Sequence, residues 1–251
     1  WITMSKMKNA NNTNMHVHEE IRMTTLLTRE QMNEAASKRV NLIAQEFSRA
    51  YKFLEDYPKS ITVFGSSLVT EDNHYYQKAR SLSKKISQEL GYTIITGGGP
   101  GIMEAANRGA FEAGGKSLGV TIKLPHEQVT NMYITDHIDI TYFFARKVCL
   151  AFSAEAYIFF PGGFGTLDEL FEILTLVQTK KIDSVPIVLV GHEYWKPLEQ
   201  FIRSNMLERN MIDPEDISLF SIQDDENKIV EIIKAAPIRN GLSYKYDDYP
   251  V

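Results

Sequence analysis

A single cysteine, Cys149, stands in 251 residues. It cannot close an internal disulfide, and such sparse usage fits a reduced, cytoplasmic setting. Its apolar, helix-like surroundings read as those of a small buried hydrophobe. Long apolar runs are also missing. None reaches the roughly 18 residues that a membrane span needs, so no membrane partner is expected. Nor is there a positive excess: 27 basic and 32 acidic residues leave a net charge of −5. That balance argues against a nucleic-acid-coating surface. The six histidines show no H-x-x-x-H or comparable spacing, and no Cys/His cluster exists. No metal site is expected. Trp1 to Asn14 is polar and Asn-rich and lacks a signal-peptide apolar core. Residues 1–27 read as a flexible leader, and residues 237–251 as a polar tail without a clear period.

What the chain does have is alternation. Thr28-Arg29-Glu30-Gln31 has the T-x-x-Q form of a capping box, and a long helix is predicted from there to about Asp56, ended by Pro58. Residues 28–58 thus form a helical extension. Ile61–Phe64 reads as a strand and Tyr75–Leu90 as a helix stopped by Gly91. Tyr92–Thr96 is the next strand, Ile102–Ala110 a helix, Ser117–Ile122 a strand and Lys123–Asp136 a loop. A short strand His137–Thr141, a helix Tyr142–Ser153, a strand Ala154–Phe160 and a helix from Thr166 follow. Pro186–Val190 is a further strand, and Tyr194–Arg209 and Glu226–Ala235 are closing helices. Strands alternating with helices over residues 59–236 predict an α/β fold, a parallel sheet covered on both faces. The β-branched run Ile187-Val188-Leu189-Val190 suits a strand buried on both sides. Ligands of such folds sit at the strand C-termini, where Gly65, Gly97, Pro161 and Gly191 all fall.

Two of those ends carry glycine turns. Gly97-Gly98-Gly99-Pro100-Gly101 leads into the Ile102 helix, with Glu104 early in it. Pro161-Gly162-Gly163-Phe164-Gly165-Thr166-Leu167-Asp168-Glu169 leads into the next. Glycines let main-chain N–H groups approach a ligand, and a helix start adds unpaired N–H groups at its positive end. An anion seat beside a carboxylate suggests chemistry on a phosphorylated small molecule.

Better-known glycine motifs do not fit. Gly115-Lys116-Ser117 lacks the upstream glycine of a P-loop, because Ala110 occupies that place, and it leads into a strand. G-x-G-x-x-G fails at Ile102 and at Asp168, so no dinucleotide cofactor is expected. G-x-S-x-G from Gly65 fails at Val69. No lysine stands in a pyridoxal-phosphate context.

The Gly97–Glu104 segment, the pair Arg146-Lys147 and the Pro161–Glu169 segment together resemble the LOG ("Lonely guy") phosphoribohydrolases, over about Ser60 to Ala236. The resemblance implies a Rossmann-like doubly wound sheet that uses no cofactor. It implies cleavage of the N-glycosidic bond of nucleoside 5′-monophosphates, AMP-like purine nucleotides or cytokinin ribotides, to free base and ribose 5-phosphate. It also implies a homodimer or larger assembly with the site near the dimer interface. Two features depart from the short plant-type pattern: Glu104 replaces the last glycine of G-G-G-x-x-G-L-M-G, and the long N-terminal helix is extra. Both resemble the bacterial purine-nucleotide branch.

On this resemblance Glu169 and Arg146 are the candidate catalytic residues. Gly98, Gly99, Gly101, Gly162, Gly163, Gly165 and Thr166 are candidates for holding phosphate. Glu104, Lys147 and Ser66 are further candidates for binding substrate. Breaking a ribosyl C–N bond builds positive charge on the sugar, which a carboxylate stabilises or relieves by activating water. Thr166-Leu167-Asp168-Glu169 is equally a T-x-x-E capping box, in which Glu169 would only bond back to the Thr166 N–H. A non-catalytic nucleotide or phosphate-ligand carrier of the same fold is the alternative.

Overall fold

The computed structural model describes residues 28–122, 130–152 and 154–238. The predicted leader, most of the tail and much of the 123–136 loop lie outside the described residues. The chain divides into two compact units, residues 1–39 and 40–251. The first helix, α1 (Arg29–Glu55), crosses that division. At its start the Thr28 side chain accepts from the Gln31 N–H, and the Gln31 side chain accepts from the Thr28 N–H. The T-x-x-Q signal is thus a real capping box.

Among the described residues of 40–251, seven parallel strands form one sheet in the order β4-β3-β2-β1-β5-β6-β7. They are β1 (Ser60–Phe64), β2 (Thr93–Thr96), β3 (Ser117–Ile122), β4 (Asp136–Ile140), β5 (Tyr157–Phe159), β6 (Ile187–Leu189) and β7 (Ser221–Ile222). The intervening helices are α2 (His74–Leu90), α3 (Ile102–Glu112), α4 (Phe143–Phe152), α5 (Phe164–Gln178), α6 (His192–Phe201) and α7 (Glu226–Ala235). The chain winds outward from β1 to β4, then returns and winds the other way from β5. The order reverses between β1 and β5, which is the switch point where doubly wound sheets bind ligands.

Alternation along the strands builds two cores. Phe64, Ile95, Tyr157 and Phe159 pack with α4, α5 and Ala50 and Leu54 of α1. Val63, Ile94 and Ile158 pack with α2, α3 and α7 on the other face. Only β4 shows exposed, charged positions, as befits the sheet edge.

Most predicted elements stand where the pattern put them. β5 is shorter than the apolar run Ala154–Phe160, because its flanks bond to β1 outside the regular ladder: Glu155 N–H to Ser60 O, and Phe160 N–H to Phe64 O. The helix predicted for Tyr194–Arg209 begins at His192 and passes into a π-helical stretch over Ile202–Leu207. β7 and the 3₁₀ turn Pro214–Leu219 had no periodic signal in so few residues.

One polar knot sits inside the apolar core. Asn107 of α3 is fully buried. Its Oδ1 accepts from Thr96 Oγ1 (2.6 Å) and from Asn131 Nδ2 (2.9 Å), while its Nδ2 donates to Ser117 Oγ (2.8 Å) and Leu118 O (3.2 Å). Removing it takes a hydrogen bond from each of four buried groups. Asn107→Ala is expected to lose roughly 2–4 kcal/mol of stability, read as a lower denaturant midpoint. A midpoint within error of wild type would contradict this role.

Candidate active site

The C-terminal ends of β1 and β5 open into a cavity of about 280 Å³. Three chain segments meet there, and Ser66 joins them. Its N–H donates to Pro161 O (3.0 Å) and its carbonyl accepts from Ile102 N–H (2.9 Å). The turn after β1 is thereby tied to both glycine segments. Gly101 is essential to this closeness: its φ is +72°, and a Cβ there would lie 2.3 Å from Ser66 O.

Arg146 enters from α4. Its Nε donates to Val120 O (2.9 Å) and its Nη2 to Gly97 O (3.1 Å). A Cβ on residue 97 would fall 2.0 Å from Nη2, so glycine at that position is what admits the guanidinium. Burial lowers the Arg146 pKa, and the negative charge of Glu169 opposes this. Two of its five N–H donors are engaged by the carbonyls, which leaves others for a ligand.

Glu169 lines the same cavity from α5. Its side chain is only 8 % exposed, and Oε2 has no hydrogen-bond partner. Its pKa is raised to about 7, chiefly by burial. Lys147 pulls it down, Glu172 and Asp168 push it up, and Arg146 pulls it down again. The capping-box reading fails here for a definite reason. α5 begins at Phe164, with Gly163 as its N-cap, and the Thr166 N–H donates to Gly163 O (3.1 Å). Glu169 therefore lies in the second turn, beyond the reach of a cap. The N-terminus of α5 has no side-chain cap, and Gly163, Gly165 and Thr166 all border the cavity. That helix start is a positive end turned toward the space where Glu169 lies.

The other sequence candidates are placed elsewhere. Gly162 lies beneath Thr166 and offers its carbonyl to Tyr194 Oη (2.5 Å). Gly98 already donates its N–H to Thr96 Oγ1 (2.9 Å), and Gly98 and Gly99 both give their carbonyls to Asn131. These residues build the wall rather than border the cavity. Glu104 accepts from Tyr76 Oη (2.8 Å), which turns it toward α2. Lys147 lies against α5, with Nζ 2.7 Å from Asp168 Oδ2 and 2.6 Å from Glu172 Oε2. Burial depresses its ammonium, but those carboxylates outweigh burial and hold its pKa above the usual lysine range.

The sequence reading missed an apolar wall made by Leu68, Met103, Phe143 and Leu150. Phe143 and Met103 open helices at strand ends, which is the one signal that could have pointed to them.

Residues 103–233, more than half of the chain, match the family described as "Possible lysine decarboxylase". The chain belongs to this family, the LOG family. Curated relatives include a cytokinin riboside 5′-monophosphate phosphoribohydrolase of Rhodococcoides fascians, 27% identical over 60% of this chain and 77% of its own. The enzyme of that name designated LOG1 in Arabidopsis thaliana is 28% identical over 78% of this chain and 86% of its own. Among solved structures, the molybdenum cofactor carrier protein MCP of Chlamydomonas reinhardtii is 25% identical with a TM-score of 0.52. The match covers 70% of this chain and 96% of the carrier. Among the described residues no lysine borders the cavity, and Lys147 is held by Asp168 and Glu172.

Burying Glu169 makes stability depend on pH. An acid whose folded pKa, about 7, exceeds its unfolded value, 4.5, binds its proton more tightly when folded. Stability attributable to it is intact below 4.5 and lost as pH rises toward 7. Glu169→Gln is expected to gain on wild type through that window, on the order of 3 kcal/mol by pH 8. Urea midpoints at pH 4 and pH 8 check this, and a difference that does not change with pH would contradict it.

Proposed function

We propose that this LOG-family chain hydrolyses the N-glycosidic bond of nucleoside 5′-monophosphates, AMP-like purine nucleotides first among them, to free base and ribose 5-phosphate. The observation that carries the reading is Glu169: a buried carboxylate with an unpartnered oxygen, in one cavity with Arg146 and an uncapped helix start. The activity that names these relatives, on cytokinin riboside 5′-monophosphates, supports the bond and the phosphorylated sugar.

Each part then has a role. The 5′-phosphate takes the N-terminus of α5, where Gly163 and Gly165 offer N–H groups and Thr166 a hydroxyl. Arg146 orients the nucleotide through its remaining donors. The base rests against the apolar wall of Met103 and Phe143. As the C–N bond breaks, its electron pair leaves with the base and positive charge grows on the ribose; ionised Glu169 stabilises that charge, draws a proton from the attacking water and passes it on to the departing base. The protein needs no cofactor for this.

The reading includes a homodimer or larger assembly in the cytoplasm. Phe143, which borders the cavity, Phe144 and Phe164 stand 53 %, 49 % and 94 % exposed at the starts of α4 and α5, and a second copy would cover them. No described helix is long and apolar enough to cross a membrane. The molybdenum cofactor carrier shares the fold and favours a second reading, in which the cavity only binds an anionic ligand. A binder gains nothing from a costly unpaired carboxylate beside its phosphate.

Purified protein is expected to release base and ribose 5-phosphate from AMP while leaving adenosine nearly untouched, measured by chromatography of products. Equal rates on the two would remove the phosphate seat from the account, and AMP binding without product would favour the carrier. Glu169→Ala is expected to lose at least about 100-fold in kcat while still binding AMP. Normal turnover by this variant would leave Glu169 without a catalytic role.

A further inference from the structure

We propose that Glu46, on the second half of α1, is a positioning residue for the active site, and that it sets the place of Arg146 through the first turn of α4. Glu46 is 5 % exposed. Its two carboxylate oxygens are divided between two backbone donors: Oε2 accepts the Thr141 N–H (2.8 Å) and Oε1 the Tyr142 N–H (3.0 Å). These residues immediately precede Phe143, where α4 begins. Tyr142 in turn accepts, at its carbonyl, the backbone N–H of Arg146 (3.1 Å). Two hydrogen bonds through one residue therefore link the Glu46 carboxylate to the main chain of Arg146.

The chemistry suits a fixing role. The first N–H groups of a helix lack intrahelical partners, and a carboxylate there gains from both the hydrogen bonds and the positive helix end. A local serine or aspartate could cap α4 alone. A carboxylate from a distant helix instead fixes α4 relative to the rest of the site. Neighbouring contacts follow the same seam. Arg49 Nη2 donates to Asp139 O (3.4 Å), and the Phe47 and Phe144 rings lie 6.4 Å apart. Arg146 and Phe143 both border the cavity, so a shift of α4 moves two of its walls together. Residues 40–55 thus serve the site as well as the core.

The inference rests on the proposed reaction for one of its two readouts. In Glu46→Gln, one amide nitrogen replaces an acceptor oxygen, and one of the two N–H groups loses its partner. kcat/KM on AMP is expected to fall roughly 10- to 100-fold, as small misplacements of binding groups do. In an Arg146→Lys background the same change is expected to cost less than about threefold, because the two act in series. Losses that multiply in full would overturn the proposal. Arg49→Ala, on the same helix, is expected to stay within about threefold of wild type. An equal loss there would reduce Glu46 to one docking contact among several, which also overturns it. Backbone hydrogen exchange supplies the readout that needs no turnover. Glu46→Gln should expose the Tyr142 and Arg146 amides selectively, with the β1 and β2 amides unchanged. Uniform loss of protection, or none, would contradict the proposal. If wild type leaves AMP intact, the reaction is wrong, and the exchange pattern still decides the role of Glu46.

Discussion

A carboxylate held out of water with one oxygen unpaired works against folding, because charge is poorly solvated there and no donor compensates. Glu169 is such a group, and the surrounding structure is arranged about it. α5 carries it in its second turn, inward of a helix start whose N–H groups have no side-chain cap. Lys147 is near enough to lower its pKa but is itself tied to Asp168 and Glu172. Arg146 is placed by two main-chain carbonyls rather than by a direct ion pair. Positive charge is thus close to Glu169 without quenching it, and burial keeps the upper hand. Such tension between stability and chemistry is characteristic of functional sites.

The sheet makes this arrangement possible. Reversal of strand order between β1 and β5 leaves a crevice that neither neighbouring connection covers. Ser66 uses both of its main-chain groups to tie the β1 turn to the Pro161 and Ile102 segments. The buried Asn107 knot then fixes Thr96 and Asn131, and through them the carbonyls of Gly98 and Gly99. The glycine-rich turn after β2 therefore acts mainly as a rigid wall whose Gly97 carbonyl holds Arg146. The turn before α5 leaves the helix start without a side-chain cap and faces the cavity. Two segments that look alike in sequence have different duties.

That difference marks the limit of what the residues alone revealed. Strand and helix types were legible, because buried parallel strands and amphipathic helices carry strong periods, and Gly91 punctuates clearly. The Pro161–Glu169 motif and Arg146 pointed to one cavity. The start of α5 was misplaced by two residues, since Phe164 and Gly165 carry no helix-start signal, and that error alone kept the capping-box reading of Glu169 alive. Glu104 and Lys147 sit at suitable places in sequence, but their side chains turn to Tyr76 and to Asp168 and Glu172, and side-chain direction is a tertiary property. Glu46 was invisible, because a carboxylate that caps a helix 95 residues away leaves no local pattern.

In the proposed reaction one buried, ionisable carboxylate, Glu169, is limiting. The most direct measurement is a ¹³C titration of the Glu169 carboxyl in the free protein, set beside the pH dependence of kcat/KM for AMP, which reports groups of the free enzyme. Glu169 is expected to titrate near 7, and the rate to rise with pH through the same midpoint, as the carboxylate becomes charged. A Glu169 that titrates in the ordinary carboxylate range, or a rate that ignores this midpoint, would contradict it.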